Sequence, residues 1–224
     1  MICDCWRSIS VRIAAIAAAI SVGYPTLTQA DEVRTFAVTV DGKQAGTYAL
    51  TSTVAADGTE TIAAIAAVKV KFTLLTYIYE LKSTETWKGG KLISLEAHSN
   101  DNGKKKAVVA SVADGKLSVT VNRQTRKASA DVLTSTGVRI PATERALDAI
   151  LFEVEDGSET TVRVEPLGPC RVTLDGKVID GSRYKLTGKD VAAEWWFDAN
   201  GRAIRQENKW DGYKVVFALT GIGK

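Results

Sequence analysis

The residues of this 224-residue chain that could do chemistry exclude more than they permit. His98 is the only histidine, so zinc sites built on two or three histidines are ruled out by count. No Gly-x-Ser-x-Gly elbow presents a nucleophilic serine, and no Walker loop, dinucleotide fingerprint or calcium loop occurs. Read with period two, His98 shares a polar face with Ser94, Glu96 and Asn100 beside a turn, a solvated setting. Cys170 stands in Gly168-Pro169-Cys170-Arg171 with no histidine near it in sequence, and reads as a small buried hydrophobe. No catalytic residue, metal site or cofactor is assigned.

Glu85 is the residue that an inert core does not need. Alternation through Thr76 to Trp87 places Tyr77, Tyr79, Leu81, Ser83, Glu85 and Trp87 on the face expected to be buried. A carboxylate there must be paired, hydrogen-bonded or protonated. It is either a polar anchor in a ligand cavity or a strand-end group reached by water or an arginine. Trp195 alternates with Val191, Ala193 and Phe197. Trp196 points the other way with Glu194 and Asp198, to stack on a flat ligand or to sit under a covering segment. The candidate ligand-binding set is Tyr77, Tyr79, Trp87, Tyr184 and Trp195 as lining, with Glu85 and Arg183 as polar anchors. Lys104-Lys105-Lys106 with Arg123, Arg126 and Lys127 forms a basic patch that steers an anionic partner or guards a sheet edge.

The elements that must carry these residues are strands. Nine Asp-Gly or Asn-Gly pairs stand mostly between alternating apolar runs, the strongest short-range hairpin signal, because two-residue turns need positive φ. Strands follow one another from Val33 to Val121 and again from Thr161 to Leu219. Between them, Pro141 to Phe152 reads as one short helix around 143–152, with Thr143 as N-cap and a stripe of Ala146, Leu147, Ile150 and Leu151. About a dozen strands make a flat sheet unusually wide. The fold class expected is therefore all-β: a large antiparallel meander sheet curled into a barrel or half-barrel, with the helix plugging or lining its concave side.

Residues 1–30 read as a signal peptide: Arg7 and Arg12, an apolar run from Ile13 to Val22, Pro25, and a cleavage site after Ala30. The run is too short for a bilayer span, so no stable membrane anchor is expected after cleavage. Residues 31–224 then form a single domain, exported to the periplasm, with Cys170 its one thiol and no internal disulfide. The net charge of +3 argues against a nucleic-acid partner.

Arg183-Tyr184, Thr187-Gly188, Trp195-Trp196-Phe197-Asp198, Gly201, Asp211-Gly212 and the run Val215 to Leu219 resemble the C-terminal half of a family of secreted proteobacterial proteins carrying a domain-of-unknown-function label. Glu85-Thr86-Trp87 and Asn100-Asp101-Asn102-Gly103 are similar to its N-terminal half, although Phe197 stands where the family has Tyr. The resemblance implies a periplasmic all-β protein and transfers no activity. At the level of fold it is loosely similar to half-barrel periplasmic carriers of lipoproteins and lipids. The expected function is non-enzymatic binding of a lipid or acyl chain. The alternatives are a scaffold for an envelope complex, with an envelope protein as partner, and a carbohydrate-active hydrolase using Glu85 and Glu96.

Overall fold

The structure, a computed structural model, describes residues 31–71, 75–140 and 143–224. The expected signal peptide lies outside them, as do Phe72 and Pro141. Among the described residues, fifteen strands form one sheet. β1 (Glu32–Val40) is central, and a first arm runs outward as β2 (Lys43–Val54), β3 (Glu60–Lys71), β4 (Thr76–Lys88), β5 (Lys91–Asp101), β6 (Lys104–Ala113), β7 (Lys116–Val121) and β8 (Gln124–Ala128). The second arm starts at its far edge with β9 (Leu133–Thr134) and returns through β10 (Leu147–Phe152), β11 (Glu159–Leu174), β12 (Lys177–Gly188), β13 (Val191–Asp198), β14 (Ala203–Trp210) and β15 (Tyr213–Gly223), which pairs with β1. Every described pair is antiparallel except β9 with β10.

The hairpins are built as the Asp-Gly and Asn-Gly pairs dictate. Asp41, Asn102, Asp114, Asp175 and Asp211 all adopt positive φ, as do the glycines after them, giving two-residue turns whose twist suits the flanking strands. Asp180-Gly181 is different, lying inside β12. Gly181 is there for close approach, because a Cβ on it would stand 2.0 Å from the Phe197 carbonyl oxygen of the neighbouring strand.

Two expectations about the fold are corrected. Among the described residues there is no helix. Leu147–Phe152 is strand β10, because pairing with β11 and burial of Leu151 and Phe152 outweigh the weak helical preference of Ala and Leu. Thr143 does accept a hydrogen bond from the Arg145 amide, 3.1 Å, as a cap would, but the chain then extends. The barrel or half-barrel is corrected too: the sheet remains open, with β8 and β9 as its two edges. β8 is short and buries only Ala128. After it the chain turns inward, so no strand remains to join the edges. Side chains tie that seam instead: Arg126 donates to Glu159 at 2.6 Å and to the Gly157 carbonyl, and Ser129 N donates to Glu159 at 3.2 Å.

What fills the folded sheet is the segment 129–140. Ala130, Val132, Leu133, Thr134, Thr136 and Val138 on it are buried against inward-facing residues of both arms, among them Trp87, Leu95, Val162 and Ile204. A segment in the interior needs partners for its backbone, and both the backbone of neighbouring strands, as in Leu92 N to the Ala130 carbonyl at 3.1 Å and Ser135 N to the Phe152 carbonyl at 3.0 Å, and side chains of the sheet supply them.

Candidate functional site

At one end of the molecule, charged side chains close the interior. The buried Glu60 carboxylate accepts hydrogen bonds from Arg139, Arg202 and, at 2.7 Å, Ser52. The Arg139 guanidinium also lies 5.5 Å from the Trp87 ring centroid. Burial and the nearby Arg202 lower its pKa. Beside this cluster, buried Arg34 donates to Asp198 and Glu32, both at 2.6 Å, and to the Ala203 carbonyl at 3.2 Å.

Glu85 sits deeper and is fully buried. Its carboxylate accepts hydrogen bonds from Trp87 Nε1 at 3.0 Å, Thr134 Oγ1 at 2.9 Å and Thr136 Oγ1 at 2.6 Å. Burial pushes its pKa up to about 7, and the three donors moderate the rise. Thr134 and Thr136 belong to the interior segment, so Glu85 pins that segment to β4. Tyr48 adds a hydroxyl bond to the Thr136 carbonyl at 2.9 Å, and Gln206 Nε2 donates to the same oxygen at 3.0 Å. Burial, reinforced by the Glu85 charge, raises the Tyr48 pKa well above that of an ordinary phenol.

The opposite end holds a cavity of about 790 Å³. Its walls are apolar, with Val68, Leu81, Val215 and Phe217 lining it, and the interior segment contributes Ser135 and Thr136. At its rim Leu75 is 75% exposed and Trp210 44% exposed. Trp210, on β14, meets Tyr77 and Tyr79 of β4 edge-on, with ring centroids 5.5 and 6.0 Å apart. Those strands are not neighbours in the sheet, so the rings touch across the mouth. Glu153 and Glu155 enter from the loop after β10. Burial raises the pKa of both; the Ser135 hydroxyl counters it at Glu153 and the Tyr79 hydroxyl counters it at Glu155.

Of the expected ligand-binding residues, Tyr77, Tyr79 and Trp195 line this cavity. Trp195 is fixed by Nε1 donating to Asn208 at 3.1 Å. Glu85, Trp87 and Tyr184 are buried outside its lining. Arg183 lies on the outer face, 3.7 Å from Glu194 and 5.8 Å from the Trp196 ring centroid. Arg205 approaches the same ring at 5.6 Å, so two guanidinium groups cover Trp196. His98 is exposed beside Glu96 at 3.2 Å, and burial pushes the half-buried Cys170 thiol up. Glu96 is exposed while Glu85 is buried, so they do not form an acid/base pair. Among the described residues, no group of three or more His, Cys, Asp or Glu side chains is placed to hold a metal ion.

Sequence reasoning missed Gln206, Trp210, Glu153 and Glu155. Alternation along β14 carried a signal for the first two, since Gln206, Asn208 and Trp210 fall on one face. The glutamates follow a segment whose composition reads as helix, and nothing local pointed them inward.

The family model for a domain of unknown function, DUF6134, matches residues 36–220, from within β1 to within β15. The chain belongs to the DUF6134 family. The fold of this DUF6134 member is also similar to a crystal structure of a β-barrel-like protein of domain of unknown function DUF1849 from Brucella abortus. The TM-score is 0.63 at 12% identity, covering 86% of this chain and 96% of that one. At that identity the likeness speaks for the fold alone. No curated protein matches the chain. Among the described residues, no helix is long and apolar enough to cross a membrane.

Proposed function

We propose that this protein binds and carries an apolar ligand, a lipid or an acyl chain, in the cavity at the open end of its sheet, and does so in the periplasm after export. The observation that carries the reading is the cavity itself. At about 790 Å³ it falls within the size range of small-molecule sites, and it has their composition, apolar and aromatic walls with a few polar groups. Export is supported by the leader-like pattern of residues 1–30 and by a mature chain with one cysteine.

Titration with N-phenyl-1-naphthylamine, a neutral fluorophore that brightens in apolar surroundings, tests the reading. Saturable one-to-one uptake is expected, together with a co-purifying apolar adduct in native mass spectrometry of gently isolated protein. A ligand-free mass with no saturable uptake would count decisively against it. Crosslinking in cells that returned a stoichiometric protein partner and no lipid adduct would favour the scaffold role instead.

A further inference from the structure

The rim chemistry of the cavity names a class of ligand. Among the described lining residues four carry carboxyl groups, the half-buried Glu153 and Glu155 and the exposed Asp190 and Asp211, against one cation, the exposed Lys209; Lys106, 3.6 Å from Asp156, acts on Glu155 from outside the lining. The arginines that could receive an anionic head lie elsewhere: Arg34, Arg139 and Arg202 serve the ion cluster at the closed end, and Arg183 and Arg205 cover Trp196 outside. Three aromatic rings, Tyr77, Tyr79 and Trp210, occupy the mouth, and Tyr77 and Tyr79 come under the field of Glu155. Ring faces carry negative quadrupole density, and rings combined with carboxylates recognise alkylammonium groups.

Building on the carrier reading above, we infer that the cavity selects amphiphiles with an alkylammonium head, seated among Tyr77, Tyr79, Trp210 and Glu155, and an apolar tail running in along Val68, Leu81 and Phe217. A carboxylate head in the same place meets half-buried and exposed carboxyl groups and no guanidinium. The preference is local, because the chain as a whole carries +3 and its net charge attracts anionic amphiphiles.

The test uses probes with one tail and different heads, dodecyltrimethylammonium, dodecanoate and dodecyl maltoside, each below its micelle concentration and displacing the neutral fluorophore. Dodecyltrimethylammonium should displace at a concentration about tenfold or more below dodecanoate, the span that a desolvated cation–π contact and a carboxylate supply. Added salt should narrow that gap. A double variant, Trp210→Leu with Glu155→Gln, should bring the two probes within about twofold of each other, through loss of those same contacts. Its far-ultraviolet circular dichroism should match the parent's, which shows that it is folded. Equal or tighter binding of dodecanoate, or a gap unchanged in the double variant, overturns the inference while leaving an apolar carrier standing. Failure of all three probes and of the fluorophore overturns the carrier reading, and this inference with it.

Discussion

Glu85 shows how one residue can be costly and still useful. Its carboxylate is fully buried, and three donors converge on it from Trp87, Thr134 and Thr136. Because its folded pKa of about 7 lies above the ordinary 4.5, the folded state holds this proton over a window where the unfolded chain has released it. The stability contribution is therefore full below pH 4.5, declines as pH rises toward 7, and is flat above. The shift corresponds to on the order of 3 kcal/mol. Glu85→Gln should remove that decline, since an amide accepts from Trp87 and Thr134 and donates to the Thr136 hydroxyl. Urea unfolding at pH 5 and pH 8 should show the variant gaining on the parent at the higher pH; an unchanged difference would refute the assignment. Glu85→Ala leaves the Trp87 indole and one of the two threonine hydroxyls, which lie 2.9 Å apart, without an acceptor and should cost about 2 kcal/mol or more at either pH.

Among elements, the β2–β3 pair and the ion cluster at the closed end make separate claims. Gly46 pairs with Val68 of β3 beside a register shift in β1–β2, and a Cβ on it would stand 2.0 Å from the Ala67 carbonyl oxygen. A backbone atom cannot step aside as a flexible side chain does, so Gly46→Ala should force the strands apart at a cost of about 2 kcal/mol or more, read as a lowered unfolding midpoint. Glu60→Ala strands Arg139 and Arg202 around an empty position. Both guanidinium groups are partly exposed, so water recovers some of the loss. The expected cost is about 2 kcal/mol, below that of a wholly buried pair, and differential scanning calorimetry gives the value. Elements also mark where local reading worked. β4 was legible because Leu81, Ser83, Glu85 and Trp87 alternate inward as the sequence implies. β10 was not, because its helix-forming composition is overruled by β11, a partner that no local window contains.

For the whole molecule, the proposed carrier function requires the cavity to be a working volume and not a packing defect. Ala66 lies in its wall and is buried. Ala66→Phe places a ring in that space and should weaken uptake of the neutral fluorophore by about tenfold or more while keeping or raising the unfolding midpoint, since filling a void adds contacts. Retained uptake would move the binding site elsewhere. The molecule is also divided by function: ions and the pinned interior segment secure one end and the centre, leaving the other end open. Tyr77, Tyr79 and Trp195 could be named in advance because alternation turns them inward. Glu153, Glu155 and Trp210 join them only when the sheet folds over and brings β14 and the loop after β10 against β4.

The sequence by itself determined the all-β class, most of the hairpins and, in strands such as β4, which side chains face inward, because turn pairs and period-two alternation act over a few residues. The tertiary structure alone decided that the sheet stays open and that residues 129–140 fill it. It also decided that Glu85 holds that segment and that the aromatic and acidic rim gathers at one end. Each of these depends on partners far apart in the chain, as Glu85 is from Thr134 and Thr136, and such partners meet only when the whole sheet has folded.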